Sequence, residues 1–334
     1  MAKRFVFLVV VLSLLAGLLI CSTSFASSKV LKISHQWAKG DIRDLWVRQW
    51  VDLATKKTGG QLKFEIYPAQ SLFKAKAQFD AMRKGALDGC CLPFIYLSGK
   101  IPAYSITSMP CLVKTAKQGT AWGNNEIGKR LDEIGKKNGF TTTSWGCIMG
   151  SIGSKDKAIL KPSDLKGFKV RGAGKPMEEM LRAGGAAITS MPSTEIYFAL
   201  QTGTLNALTT TYSSFLSFRL HEVLNFLTIS KGYGIFYAHH GLLLANKTWD
   251  KLTADQQKAL SQAGKEVEPY MLKLANGILD KCAQTFGRAN VKLHNLTEEN
   301  YNKWLELAKK TSFKTYAAKV KNGQKLLDLA LSVK

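Results

Sequence analysis

Short strand-like runs alternate with helical ones along most of this chain, and that alternation limits the fold more than any other feature. Residues 30–34 and 62–67 (LKFEIY) have strand character, the second with apolar and polar residues in strict alternation. Between them Ile42, Leu45, Trp46, Trp50, Leu53 and Ala54 recur at helical spacing, and Gly59-Gly60 ends that helix. A helix over 74–84 and a strand over 86–92 follow. The order β-α-β-α-β predicts a mostly parallel sheet covered by helices. A helix near 117–137 and a strand over 140–145 complete a first unit.

The pattern then restarts. A strand over 168–171, a helix over 175–183 ended by Gly184-Gly185, a strand over 188–191, a helix over 193–202 stopped by Gly203 and a strand over 205–209 describe a second α/β lobe. Residues 241–245 return as an apolar strand. Thr253-Ala254-Asp255-Gln256 fits the capping box and opens a helix that runs to about residue 286, long enough to lie across both lobes. Thr297, followed by Glu298 and Glu299, caps another helical stretch. No Pro/Gly/Ser-rich linker separates the lobes, which predicts several crossovers and a hinged cleft.

The first 26 residues read as an export signal: Lys3 and Arg4, an apolar run, then Ser24-Phe25-Ala26 before the cut. Their removal lowers the net charge from +23 to +21. Such a surface attracts anions, but the lysines are scattered and no arginine-rich stripe alternates with aromatics. No nucleic-acid partner is therefore expected. Five cysteines remain: Cys90, Cys91, Cys111, Cys147 and Cys282. The odd count and the adjacent pair suit buried apolar thiols better than a zinc or redox site. A Cys111–Cys147 bridge is open to an exported protein.

Motifs for chemistry are scarce. The chain carries no phosphate-binding loop, no H-E-x-x-H and no G-x-S-x-G. His239-His240 is a poor metal pair because neighbouring strand residues face opposite ways. No cofactor and no metal are expected. Two places suit a ligand. His35, Gln36 and Trp37 follow the first strand, where open α/β sheets present ligand groups. Arg171 ends the strand FKVR beside Gly172-Ala173-Gly174, positioned either for a carboxylate ligand or for a salt bridge to the other lobe.

At this point the residues resemble a known family. Asp164, Leu165, Lys166, Gly167, Lys169, Val170 and Arg171, with Met191, Pro192, Glu195, Tyr197, Ala199, Leu200, Gln201 and Gly203, are similar to the core segment of TRAP-transporter substrate-binding proteins of the DctP type. TGGQLKFEIYPAQSL, KGALDG and NKTWDKLTADQQKAL extend the likeness along nearly all of the mature chain. The resemblance implies an α/β bilobal periplasmic-binding-protein fold with hinge crossovers and a long helix spanning both lobes. It implies a periplasmic protein that captures a small organic acid, and a monomer is expected. The ligand sits between the lobes and passes to the small and large membrane subunits of a permease. The lobes are expected at 29–149 plus 237–280 and at 150–236 plus 281–334.

The resemblance also gives Arg171 a role, pairing with the substrate carboxylate. Two departures bear on specificity. Residues 149–153 lack the second arginine that many members place there, and Thr210 stands where an asparagine is usual. A monoanion is therefore favoured over a dicarboxylate or sialic acid. Further candidates for the site are Tyr96, Trp145, Tyr212, Phe236 and His239, with Phe94 as a wall. Two rival readings are an exported hydrolase using His239 or His240 as base, and a loaded protein that docks on a sensory receptor.

Overall fold

The computed structural model describes residues 29–230 and 232–334, so the segment read as an export signal lies outside the described residues. The strands are β1 Lys29–His35, β2 Leu62–Tyr67, β3 Gly89–Pro93, β4 Phe140–Ser154, β5 Lys169–Arg171, β6 Ala187–Thr189, β7 Ala207–Thr211, β8 Phe226–Ile229, β9 Phe236–Ala245 and β10 Lys292–Asn295. They form one sheet in the order β2-β1-β3-β9-β4-β7-β5-β6, with β8 beside β4 and β10 beside β8. The helices are α1 Ile42–Lys57, α2 Gln78–Lys84, α3 Ala116–Thr120, α4 Glu126–Lys137, α5 Lys175–Ala183 and α6 Ile196–Gln201. After them come α7 Tyr212–Ser217, α8 Asn246–Trp249, α9 Ala254–Arg288, α10 Glu298–Ala308, α11 Lys314–Lys319 and α12 Gly323–Ser332.

Parallel pairing of β1 with β2 and β3 builds one half of the sheet, and of β5 with β6 and β7 the other. The expected mostly parallel sheet is mixed in fact, because β4 and β9 pair antiparallel from Phe140↔Ala245 to Gly150↔Phe236 and tie the halves together. Both strands are much longer than the sequence suggests. Past Trp145 the apolar pattern of β4 is broken by Gly146, Gly150 and Gly153, which look like strand breakers. They are close-approach sites instead. A Cβ on Gly150 would sit 2.2 Å from the Phe236 ring, and one on Gly153 2.8 Å from that of Phe215.

The helix expected near 117–137 is two helices, α3 and α4, joined by a 3-10 turn over Ala121–Asn124 and an extended Asn125. Asn125 donates its side-chain amide to the Ala121 carbonyl at 2.7 Å, and Gly128 lies so near that a Cβ would reach the Trp122 carbonyl oxygen at 2.0 Å. The short strands β8 and β10 escape sequence reading altogether.

Helix α1 begins as its sequence dictates. Asp41 caps it by accepting from the Arg43 N–H at 2.8 Å, which satisfies one orphan donor of the first turn. Its inner face buries Trp46, Val47, Trp50 and Ala54, and burial of each large side chain contributes roughly 1.5–3 kcal/mol. Helix α9 opens with the full Thr253–Gln256 capping box. It packs on α1, on β4 and on α7, and so binds both halves of the sheet. Helix α12 packs on α4, and its Leu326, Leu327 and Ala330 join a core with Phe79, Leu131 and Phe140. The five cysteines among the described residues are buried free thiols, so the Cys111–Cys147 bridge does not form. Cys111 lies in the core around Trp304, and Cys147 in the one around Trp122.

A buried carboxyl, Glu268, and a half-buried one, Asp132, lie where α9 and α4 meet β4. Glu268 accepts from the Trp145 N–H at 3.1 Å and from Asn124 at 3.4 Å. Burial pushes Glu268 up to about 7 and Asp132 up to about 6. The folded protein thus holds protons that the unfolded chain releases at lower pH. Stability contributed by these protons is lost as pH rises through the folded values. Glu268→Gln removes one of these groups. Relative to wild type, the variant is expected to gain a few kcal/mol between pH 5 and pH 8. Urea unfolding at the two pH values checks this, and a constant offset would contradict it.

Candidate functional site

The carboxyl ends of β1, β3, β5 and β7 converge on one small cavity where the two halves of the sheet face each other, which is where open α/β sheets place ligands. Gln36 follows β1, and Ile95 and Tyr96 follow β3. Arg171 ends β5, Thr210 and Thr211 end β7, and Phe236, Ala238 and His240 come from the crossing strand β9. The cavity measures about 30 Å³, room for roughly two or three waters or a compact anion of similar size.

Arg171 is 4% exposed. Its Nε donates to the Met191 carbonyl at 3.1 Å and its Nη1 to the Thr209 carbonyl at 2.8 Å. Two neutral acceptors fix the plane of the guanidinium and leave three of its five N–H donors unused. Among the described residues no carboxylate pairs with it. Burial therefore lowers its pKa, with Tyr96 and Glu178 opposing through space. A buried charge without a partner is costly, and a carboxylate arriving at the unused edge offsets that cost with two parallel charge-assisted hydrogen bonds. Gln36 Oε1 and the Ser108 hydroxyl, both on the cavity wall, are buried and unpartnered as well.

A seam of hydroxyl contacts runs beside the cavity between the two halves of the sheet. Ser193 accepts from Gln36 Nε2 at 3.0 Å, and its backbone N–H donates to the Tyr96 hydroxyl at 3.0 Å. Arg43 donates to Ser214 at 3.0 Å and to Ser217 at 3.4 Å. Gly174 passes so close to the opposite wall that a Cβ would meet the Ile95 side chain at 2.3 Å, and its φ of +104° is one that glycine adopts readily. Outside this seam a wider depression of about 260 Å³ shares Ile95, Tyr96 and Arg171 and adds Lys76, Lys175 and Glu178.

A family model described as "Bacterial extracellular solute-binding protein, family 7" matches residues 33–319. This chain belongs to that family. A solute-binding protein of Albidiferax ferrireducens is 38% identical over 314 residues, 92% of this chain and 93% of that one. A solved TRAP periplasmic solute-binding protein from Rhodoferax ferrireducens, with bound malonate, matches at 38% identity and a TM-score of 0.88, covering 91% of this chain and 98% of that one. The C4-dicarboxylate-binding periplasmic protein DctP of Rhodobacter capsulatus is 26% identical over 85% of each chain. This is a TRAP solute-binding protein with the bilobal fold, as the resemblance implied.

Among the candidates from sequence, the solute-binding protein brings Gln36, Tyr96, Arg171, Thr210 and Phe236 to the cavity wall. It places the other five elsewhere. His35 is fully buried behind the wall, its Nε2 3.1 Å from Asp44 Oδ1. Burial would raise the Asp44 carboxyl, but hydrogen bonds from His35, Arg48 and the Gly40 N–H outweigh it and hold the group well below the carboxylate range. Trp37 packs beneath Arg43, whose guanidinium carbon lies 4.2 Å from the ring centre. Trp145 packs against Phe94 with ring centres 4.4 Å apart and planes tilted by 46°, inside the core around Trp122. Tyr212 is core as well, donating to the Thr228 carbonyl at 3.1 Å.

His239 faces away from the cavity, with ring nitrogens 3.0 and 3.1 Å from the Thr107 and Gly119 carbonyls. Burial lowers it to about 4. Its neighbour His240 lines the cavity instead, because β4 pairing sets that parity. Burial and the nearby Arg43 hold His240 well below the usual histidine value. Its Nδ1 is 3.0 Å from the Ala238 carbonyl rather than from a hydroxyl, so the geometry of a hydrolase base is not found at either histidine.

Sequence reading missed Arg43, Ser108, Ser193 and Ser214. Arg43 stands in the first turn of the helix that follows β1, two residues after an acidic cap, a place that reads equally well as a solvated face. No group of three or more metal-ligating side chains occurs among the described residues.

Proposed function

We propose that this solute-binding protein captures a small organic carboxylate in the cavity between its lobes and passes it to the two membrane subunits of a TRAP permease. Arg171 is the anchor. The observation that carries this reading is a buried guanidinium with three unused donors, no carboxylate partner, and a cavity against its free edge. Thr210, Gln36 and Ser108 supply neutral hydrogen bonds, and Phe236, Ile95 and Ala238 enclose the apolar part. The small cavity favours a compact acid; malonate, held by the R. ferrireducens protein, matches that size but carries a second carboxylate.

The ligand drives closure only by its preference for the closed form. Closing excludes water, which strengthens the ion pair. The ligand leaves chemically unchanged. The first lobe comprises residues 29–149 and 237–280, and the second 150–236 and most of 281–334. Helix α12 is counted with the first because of its packing on α4. Export to the periplasm fits the extracytoplasmic family, and no described helix is long and apolar enough to cross a membrane.

A thermal-shift panel on protein stripped of co-purified ligand tests this reading. Acetate, propionate, lactate, malonate, succinate and glucuronate cover the sizes. A short acid at about 100 times its Kd adds roughly 2.7 kcal/mol, which moves Tm by roughly 5 °C for a chain this size. Silence from every short acid would overturn the proposal.

A further inference from the structure

We infer that Asp41 sets the charge specificity of the cavity by neutralising its second arginine, so that the site accepts one carboxylate, at Arg171, and discriminates against a second. The inference rests on the carboxylate reading above. Two guanidinium groups line the cavity, Arg43 and Arg171, both nearly fully buried. Two like charges there would suit a dianion. They are not equivalent. Arg43 is bound bidentately by Asp41, with Nε to Oδ1 and Nη2 to Oδ2 both at 2.7 Å. Its remaining contacts go to Ser214 and Ser217 across the seam, so four of its five donors are engaged.

Asp41 itself is not on the cavity wall. It lines a separate depression of about 230 Å³ behind Arg43, with Lys39 and Lys281, so a ligand does not touch it. Trp37 closes the other face of the guanidinium at 4.2 Å. Arg43 thus presents a neutral pair and a single spare N–H to the cavity, while Arg171 presents a full charge and three. A dianion that fills the cavity places its second carboxylate beside a guanidinium whose charge is already compensated, and the Asp41 carboxylate repels it from behind.

Malonate and its monoamide, malonamate, have nearly the same shape and differ by one charge. Calorimetric titration of both probes into wild type, Asp41→Asn, Asp41→Ser and Arg171→Met, at a pH where both malonate carboxyls are ionised, tests the inference. Asparagine and serine retain helix-capping ability, so either variant suffices if the other fails to fold. Wild type is expected to prefer malonamate. Loss of the carboxylate at position 41 should shift the ratio toward malonate by about ten-fold or more, the equivalent of one pK unit of electrostatic preference. A merely structural role for Asp41 would weaken both probes alike, and an unchanged ratio would overturn the inference. A wild-type preference for malonate would also overturn it. Binding of both probes unaffected by Arg171→Met, or no binding of either to wild type, counts against the carboxylate reading itself.

Discussion

Gly264→Ala is expected to lower stability by about 3 kcal/mol or more, among the largest effects of any single methyl in this chain. Gly264 lies on α9 where that helix crosses β4. An added Cβ would fall 1.6 Å from the Thr143 carbonyl oxygen and 2.6 Å from its carbon. The obstacle is backbone, so no side chain swings aside. The helix must lift from the strand, and it carries Leu260, Ala263 and Val267 into the core on the same face. The Ser144 hydroxyl, which donates to the Gly264 carbonyl at 2.8 Å, is strained with it. Gly277 on the same helix is a control, with nothing within 4 Å of its Cβ position. Gly277→Ala is expected to add about 0.5–1 kcal/mol through helix propensity alone. Urea unfolding of both variants checks the pair. Equal effects would mean that the contact of α9 with β4 is looser than the geometry implies.

Arg171→Met is the second large effect, and its two readouts have opposite signs. Methionine fills much of the same volume without the charge. Removing an unpaired buried guanidinium is expected to leave the ligand-free protein as stable as wild type or about 1 kcal/mol more so. Loss of the ionic partner is expected to cost the bound state about 2–5 kcal/mol, or about 30-fold to several thousand-fold in Kd. A residue that merely held the fold would lower both. Urea unfolding without ligand gives the first sign. A marked loss of stability there would show that the bonds to Met191 and Thr209, rather than the ligand, are what keep Arg171 in place.

Much of this architecture was legible because the relevant signals are local. The α1 stripe of Trp46, Trp50 and Ala54 and the Thr253–Gln256 capping box each fix an element within a few residues. What was hidden depends on residues far apart in sequence. The glycines of β4 read as breaks because the rings that fill their missing side chains, Phe236 and Phe215, lie more than sixty positions away. Adjacent histidines must face opposite sides of a strand, but only the pairing of β9 with β4 decides that His240 takes the cavity and His239 the core.

Aromatic residues near the strand ends were the least legible. Trp37, Trp145 and Tyr212 have the composition of a ligand wall and the position of a core, and composition does not separate the two. Arg171 was readable from its place at a strand end beside a glycine turn, together with the family resemblance. Arg43 was not, because a charged residue near a helix start looks like part of a solvated face. Its burial follows from Asp41, Trp37 and Ser214 meeting around it.

The most direct test is a calorimetric titration of the short acid that most stabilises wild type into wild type, Arg171→Met and Arg171→Lys. A bidentate carboxylate on Arg171 requires both variants to bind at least about 30-fold more weakly, because lysine keeps the charge but not the fork. Wild-type affinity in Arg171→Lys with loss in Arg171→Met would reduce the contact to simple charge attraction. Wild-type affinity in both would contradict the assignment of Arg171 as the anchor of the ligand.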